Sequence, residues 1–337
     1  MRGNASFSSI GVVGGGAWGT ALAQLAATNG VSTLLWAREA AVAEEIMERR
    51  ENTKFLPDVA LDERLKATSD LANLRGREAY VFVAPAQYAR GLFGALKEIA
   101  SADAPLALCS KGIERESGLL LTEVLEEVWP SARAAVLSGP SFARDVARGL
   151  PTAVTLACAD EGLAAQWAGT LGVRHFRPYL SDDLVGAELG GAVKNVLAIA
   201  AGVVDGRGFG ESARAALIAR GFAEFQRLGV ARGAKPETMA GLSGLGDLVL
   251  TASSPQSRNM SLGRALGEGR ALQDVLGERN TVSEGVATAE AVRALALSAS
   301  VDMPICAAVA DLVSGRKNVD EIIQDLLSRP ITRENRS

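Results

Sequence analysis

The chain has one histidine, three cysteines and an aromatic share of only 5%. Cys109, Cys158 and Cys306 lie far apart and show no CxxC spacing. That argues against a disulfide framework or a metal site, and it fits a reducing compartment. With so few rings, Ala, Leu and Val must fill the interior. No dense cluster of Lys and Arg is present and the net charge is −4, so neither nucleic acid nor an anionic membrane is expected as the main partner. Met1–Ser9 carries Arg2 as its one charge and has no apolar stretch before a cleavage site, so no signal peptide is expected.

One segment, Leu184 to Val204, is apolar and long enough to span a membrane. It also holds Glu188, Lys194 and Asn195, and three polar side chains in lipid are costly. A helix that is apolar all round at the centre of a globular domain is the expected reading, with no stable membrane insertion.

What is present is a 48% apolar content over 337 residues, enough for two domains of roughly 100–200 residues each. Ile10–Val13, Thr33–Trp36, Tyr80–Val83 and Leu106–Cys109 read as buried strands, followed by Ala134–Leu137, Ala153–Ala157 and Arg174–Phe176. Helical patterns at Ala17–Ala27, Ala40–Arg50, Gln87–Ala100 and Leu119–Val128 separate the earlier ones. Apolar strands alternating with helices predict an α/β, Rossmann-type N-terminal domain with a parallel sheet, residues 1–185. From Ser181–Asp182 onward the periodicity is helical. It predicts helices at Leu184–Val204, Glu211–Leu228, Leu245–Thr251, Asn259–Leu266, Gly285–Leu297 and Ile305–Val313, and hence an all-α C-terminal domain, residues 186–337.

Gly14, Gly16 and Gly19 form a GxGxxG string between an apolar strand and a helical pattern. Gly14 permits the tight turn, Gly16 lets a pyrophosphate approach the backbone, and Gly19 lets helix and strand pack closely. The plainer reading is an ordinary strand-to-helix turn. The end of the second strand bears on the choice between NAD and NADP. An acid there binds a ribose 2′-hydroxyl, and an Arg accepts a 2′-phosphate. Arg38 and Glu39 are adjacent at that place, and Arg38 favours NADPH, with NADH as the alternative.

Lys194 falls inside the long apolar helix. A buried ammonium is pushed toward neutrality unless an anion compensates, and a lysine so tuned suits general acid catalysis of carbonyl reduction. Gly190 and Gly191, on the same helical face, leave room for a ligand to reach it. A lysine that snorkels outward or pairs with a structural acid is the equal alternative. The single histidine, His175, reads as a strand-end residue, which leaves a lysine as the expected proton donor. Farther along, Gly241–Leu248 leads to Asp247 at a helix start, and Ser257-Arg258-Asn259 precedes another. A hydroxyl, a guanidinium, an amide and free N–H groups together suit a phosphate. Taken singly, Ser257 reads as an N-cap and Asp247 as a helix-dipole partner.

Gly14–Thr20, Lys111-Gly112, Ser138–Ala143, the GGAVKN string at Gly190–Asn195, Gly241–Asp247, the QSRN string at Gln256–Asn259 and Ser283-Glu284-Gly285 together resemble bacterial NAD(P)-dependent glycerol-3-phosphate dehydrogenase, from about Ile10 to about Ile323. The resemblance implies an oxidoreductase that interconverts dihydroxyacetone phosphate and sn-glycerol 3-phosphate, in the cytoplasm, supplying phospholipid biosynthesis. It implies Lys194 as catalytic proton donor. It implies Lys111, Gly139, Ser141, Lys194, Asp247, Ser257, Arg258 and Asn259 as substrate-binding. It places Gly14, Gly16, Ala17, Trp18, Gly19, Arg38, Lys111, Ala143, Arg258, Val282 and Glu284 at the cofactor, with no metal. Ala17 stands where the family often has serine, and Ser283 where it often has valine. Substrate between the domains is expected, with Asp247 holding Lys194; a homodimer is carried without a sequence signal. Two other readings keep the fold: a dehydrogenase of another phosphorylated or carboxylated hydroxy compound, and a non-catalytic NADPH sensor.

Overall fold

Short apolar runs followed by glycine loops and helices set up the first part of the chain. The structure, a computed structural model, describes residues 6–278 and 284–331. The strands are β1 (Ser9–Val13), β2 (Ser32–Trp36), β3 (Lys66–Thr68), β4 (Ala79–Phe82), β5 (Pro105–Leu108), β6 (Arg133–Ser138), β7 (Thr152–Ala157) and β8 (Phe176–Ser181). They form one eight-stranded sheet in the order β3-β2-β1-β4-β5-β6-β7-β8. Every neighbouring pair is parallel except β6–β7, which is antiparallel. Strands β4 and β5 are buried at every position, as their unbroken apolar sequence requires of strands covered on both faces. The covering helices are α1 (Ala17–Thr28), α2 (Ala40–Arg49), α3 (Ala89–Lys97), α4 (Leu121–Val128), α5 (Ala143–Ala147) and α6 (Glu161–Leu171). Phe7 and Trp167 meet edge to face with centroids 4.9 Å apart in this core.

Two expectations shift. The stretch Gln87–Ala100 splits into a 3-10 turn, Ala86–Tyr88, and α3, with Pro85 opening the turn. The strand expected at Arg174–Phe176 instead starts at Phe176 and runs to Ser181. Val173 bridges to Phe176, so Arg174 and His175 lie in a turn and His175 is not a strand residue. As an edge strand, β8 is partly exposed and carries Pro178, so it lacks the apolar signature of its neighbours.

The chain divides into two units, Met1–Lys111 with Leu120–Ala187, and Gly112–Leu119 with Glu188–Ser337. Helix α7 (Leu184–Gly206) crosses from one to the other. Its start is capped by Asp183, whose Oδ1 accepts from Gly186 N at 2.8 Å, rather than by Ser181 or Asp182. It is the one described helix long and apolar enough to cross a membrane, and 94% of its most apolar window is buried inside the protein.

The second unit continues with α8 (Gly210–Ala231), α9 (Pro236–Ala240), a π-helical turn (Leu242–Gly246), α10 (Asp247–Ser253), α11 (Arg258–Gly267), α12 (Leu272–Gly277), α13 (Glu284–Ser298), α14 (Pro304–Val313) and α15 (Val319–Leu327). The π-helical turn takes the place of the first part of the helix expected at Leu245–Thr251; such turns concentrate at functional sites. No strand occurs among the described residues of this unit.

Candidate active site

The strand order reverses between β1 and β4, and in open α/β sheets ligands bind at the carboxyl ends of strands at such a switch point. The glycine loop lies there. Gly14 has φ +128, and a Cβ on it would sit 2.9 Å from Ala84 N, just past β4. A Cβ on Gly19 would come within 1.9 Å of Gly14 O, so only glycine lets α1 pack against the loop. Around Gly16 nothing lies within 4 Å of where a Cβ would be. Gly16 is also the N-cap of α1 and supplies no side-chain cap, so the helix-start N–H groups face an open cradle. Trp18 adds a buried Nε1 with no hydrogen-bond partner. An open approach at Gly16, uncapped donors and an orphaned indole N–H together fit a dinucleotide diphosphate. Asn52, 1% exposed, braces the loop by donating to Gly15 O at 2.9 Å and to Thr20 Oγ1 at 2.8 Å.

Past β2, Arg38 is exposed and its guanidinium carbon lies 5.8 Å from the centroid of the Tyr88 ring. Glu39 is ion-paired with Lys54. Elsewhere in the first unit, Lys111 Nζ donates to Gly139 O at 3.2 Å, and Ser141 Oγ donates to the same carbonyl at 3.0 Å. Gly139 has φ +149, and a Cβ there would meet Val154 Cα at 2.9 Å. Ala143 is the first residue of α5.

In the second unit Lys194 is 8% exposed. Its Nζ lies 2.5 Å from Asp247 Oδ1 and 3.0 Å from Thr251 Oγ1. Asp247 is wholly buried and Thr251 is 5% exposed. The anion that a buried ammonium requires is therefore supplied by the first residue of α10; this excludes a lysine that snorkels outward and is the pairing with a buried acid that the structural alternative also expects. Gly190 lies against the turn before α10. A Cβ there would lie 2.2 Å from Ser243 O, so the glycine admits the π-helical turn. Beside Lys194, Asn195 Oδ1 accepts from Asn259 Nδ2 at 2.9 Å, and Asn259 Oδ1 accepts from Gly285 N at 3.2 Å. That ladder ties α7, α11 and α13 together. Ser257 is the N-cap of α11, accepting from Met260 N at 3.2 Å, and Arg258 beside it is exposed.

Two family models match the chain: the N-terminus of NAD-dependent glycerol-3-phosphate dehydrogenase over residues 9–164, and its C-terminus over residues 183–324. The chain belongs to the NAD-dependent glycerol-3-phosphate dehydrogenase family. Its relatives include the glycerol-3-phosphate dehydrogenase [NAD(P)+] of Parvibaculum lavamentivorans, 56% identical over 98% of this chain and 99% of that one. That of Maricaulis maris is 55% identical over 97% and 98%. A crystal structure of the Coxiella burnetii glycerol-3-phosphate dehydrogenase superposes with a TM-score of 0.92 at 37% identity, covering 96% of this chain and 99% of that one.

Set against the sequence expectations for a glycerol-3-phosphate dehydrogenase, the first unit holds Gly14 and Gly16 in the loop and Ala17, Trp18 and Gly19 in the first turn of α1, with Lys111, Gly139 and Ser141 gathered around one carbonyl. The second unit gathers Lys194 with Asp247, and Asn259 with Gly285 beside Glu284, the first residue of α13. Val282 lies outside the described residues. His175 takes part in none of these groupings. Sequence reasoning missed Thr251, although its place one helical turn after Asp247 on the same face was a usable signal. It also missed Asn52 and Lys54, which come from a loop distant in sequence and carry no local pattern.

Proposed function

We propose that this protein reduces dihydroxyacetone phosphate to sn-glycerol 3-phosphate, reversibly, with Lys194 as the proton donor. The observation that carries the reading is the Lys194 ammonium, buried and held by Asp247 and Thr251. A bound nicotinamide cofactor supplies the hydride to C2 of the substrate. Lys194 gives its proton to the oxygen that becomes the alkoxide, and its positive charge stabilises that oxygen more in the transition state than in the ground state. Asp247 offsets the desolvation of the ammonium and keeps the acid form available. Thr251 fixes a second direction at the nitrogen.

Lys111, Gly139 and Ser141 belong to the substrate set on the first unit. On the second, Ser257, Arg258 and the start of α11 offer a hydroxyl, a guanidinium and N–H groups to the phosphate, while Asn259 holds α11 against α7. Arg258 and Glu284 also join the cofactor set. Arg38, exposed at the end of β2, is the partner for a 2′-phosphate, so NADPH is preferred and NADH is used. A cytoplasmic supply of glycerol phosphate for phospholipid synthesis goes with this reading.

The test is to follow NADPH and NADH absorbance in parallel after adding dihydroxyacetone phosphate, then a 3-keto acid. The expected result is oxidation with dihydroxyacetone phosphate alone, faster with NADPH. A flat trace from folded protein would support a non-catalytic sensor, and turnover of the 3-keto acid a different dehydrogenase. Lys194→Ala should lower turnover at least about a hundredfold; near-normal turnover would remove Lys194 from the role.

A further inference from the structure

Arg38 and Glu39 give opposite instructions to a cofactor. A guanidinium at the end of β2 attracts a 2′-phosphate, whereas a carboxylate there binds the free ribose hydroxyl and repels the phosphate. Which instruction dominates depends on what each side chain is already doing.

The ends of three adjacent parallel strands meet at this edge. β1 leads into the glycine loop, β2 into Arg38 and Glu39, and β4 into the turn that ends at Tyr88. Arg38 is exposed and lies beside the Tyr88 ring, itself 54% exposed. Glu39 stands at the N-cap of α2 yet its side chain makes no cap hydrogen bond. Its carboxylate is instead engaged by the Lys54 ammonium.

Lys54 is not a loose surface lysine. Asn52, two positions before it, is bonded to Gly15 O and Thr20 Oγ1 of the glycine loop itself. Thr53 is bonded through its N and Oγ1 to Glu45 of α2, at 3.1 and 2.6 Å. Phe55 N returns to Asn52 Oδ1 at 3.3 Å, and the Lys54 ammonium lies 5.1 Å from the Phe55 ring centroid. The backbone on either side of Lys54 is thus pinned, to the cofactor loop before it and to α2 beside it.

We infer that Lys54 is a specificity-determining residue, which neutralises Glu39 and so leaves Arg38 to select a cofactor bearing a 2′-phosphate. The inference rests on the NADPH preference proposed above and deepens it. Without Lys54, the Glu39 charge stands uncompensated next to Arg38 and opposes the phosphate. Both partners of the pair are about 40% exposed, so solvent screens the effect, and it should be modest and stronger at low salt.

The test is calorimetric titration at low ionic strength with adenosine 2′,5′-bisphosphate and with 5′-AMP, for the wild type, Lys54→Met and the double variant Glu39→Gln/Lys54→Met. The wild type should bind the bisphosphate more tightly. Lys54→Met should shrink the ratio of the two affinities by about twofold to fivefold, and the double variant should restore it. An unchanged ratio in Lys54→Met, or a ratio left low in the double variant, overturns this inference alone. Failure of the wild type to bind either nucleotide overturns the cofactor reading and this inference together.

Discussion

Thr251 follows Asp247 by four residues, so both side chains leave α10 on one face and converge on the Lys194 nitrogen. The carboxylate supplies charge and the hydroxyl supplies direction, so the two can be separated by mutation. Thr251→Val keeps the shape and removes the oxygen. A hydrogen bond to a charged group is worth about 1.5–3 kcal/mol, so kcat should fall roughly tenfold or more while KM for the cofactor stays put. Thr251→Ser should recover most of the loss. An unchanged kcat in the valine variant, or no recovery in the serine variant, would deny Thr251 a part in orienting the lysine. Lys194 was legible in the sequence because a charge inside an otherwise apolar helix needs an explanation, and Asp247 because it opens a helix after a glycine-rich turn. Thr251 was not singled out, since a threonine inside a helix is unremarkable until the helix is placed. The Glu39–Lys54 pair was hidden for the same reason: no periodicity links a strand end to a distant loop.

At the scale of elements, α7 and α11 meet backbone to backbone. A Cβ on Gly263 of α11 would lie 1.9 Å from Ile199 O, and one on Gly202 of α7 would lie 2.1 Å from Met260 O. The two helices carry Lys194, Asn195, Arg258 and Asn259, so their separation sets the geometry of the proposed substrate site. Gly263→Ala forces them apart. It should cost about 1–3 kcal/mol, the usual penalty for overpacking, read as a lower urea midpoint. Gly91→Ala in α3, where no atom lies within 4 Å of the new methyl, should be neutral or stabilising by up to about 1 kcal/mol through helix propensity. Equal effects in the two variants would refute the backbone contact. The sequence showed that the Leu184–Val204 segment was a buried helix; that its glycines serve another helix could not be read without the partner. Apolar runs marked the central strands well. They missed β3, which is three residues long and has no buried position, and they misplaced β8, which lies at the sheet edge.

For the whole molecule, one buried acid gives stability an unusual pH dependence. Glu224 of α8 is 2% exposed and accepts from Ile305 N at 2.8 Å and Cys306 N at 3.1 Å, at the start of α14. Burial pushes its carboxyl from the ordinary 4.5 up to about 7, outweighing the two N–H bonds and Arg227, which pull the other way. Between those values the folded protein keeps a proton that the unfolded chain has released. Stability from this group is therefore complete below about 4.5 and is lost as the pH rises through 7, a change on the order of 3 kcal/mol. Asp62 acts in a different window. The Arg64 hydrogen bond lowers its carboxyl from 3.8 to about 2, so its contribution is present above 3.8 and fades only in stronger acid. With a single histidine in the chain, few other groups change charge between pH 5 and 7. The urea midpoint of the wild type should thus fall from pH 5 to pH 7.5, while Glu224→Gln, which cannot ionise and keeps one carbonyl oxygen for one of the two α14 N–H groups, should be less stable throughout but nearly flat over that range. Parallel slopes in the two proteins would show that the pH dependence arises elsewhere and that Glu224 is ionised in the folded state well below neutrality.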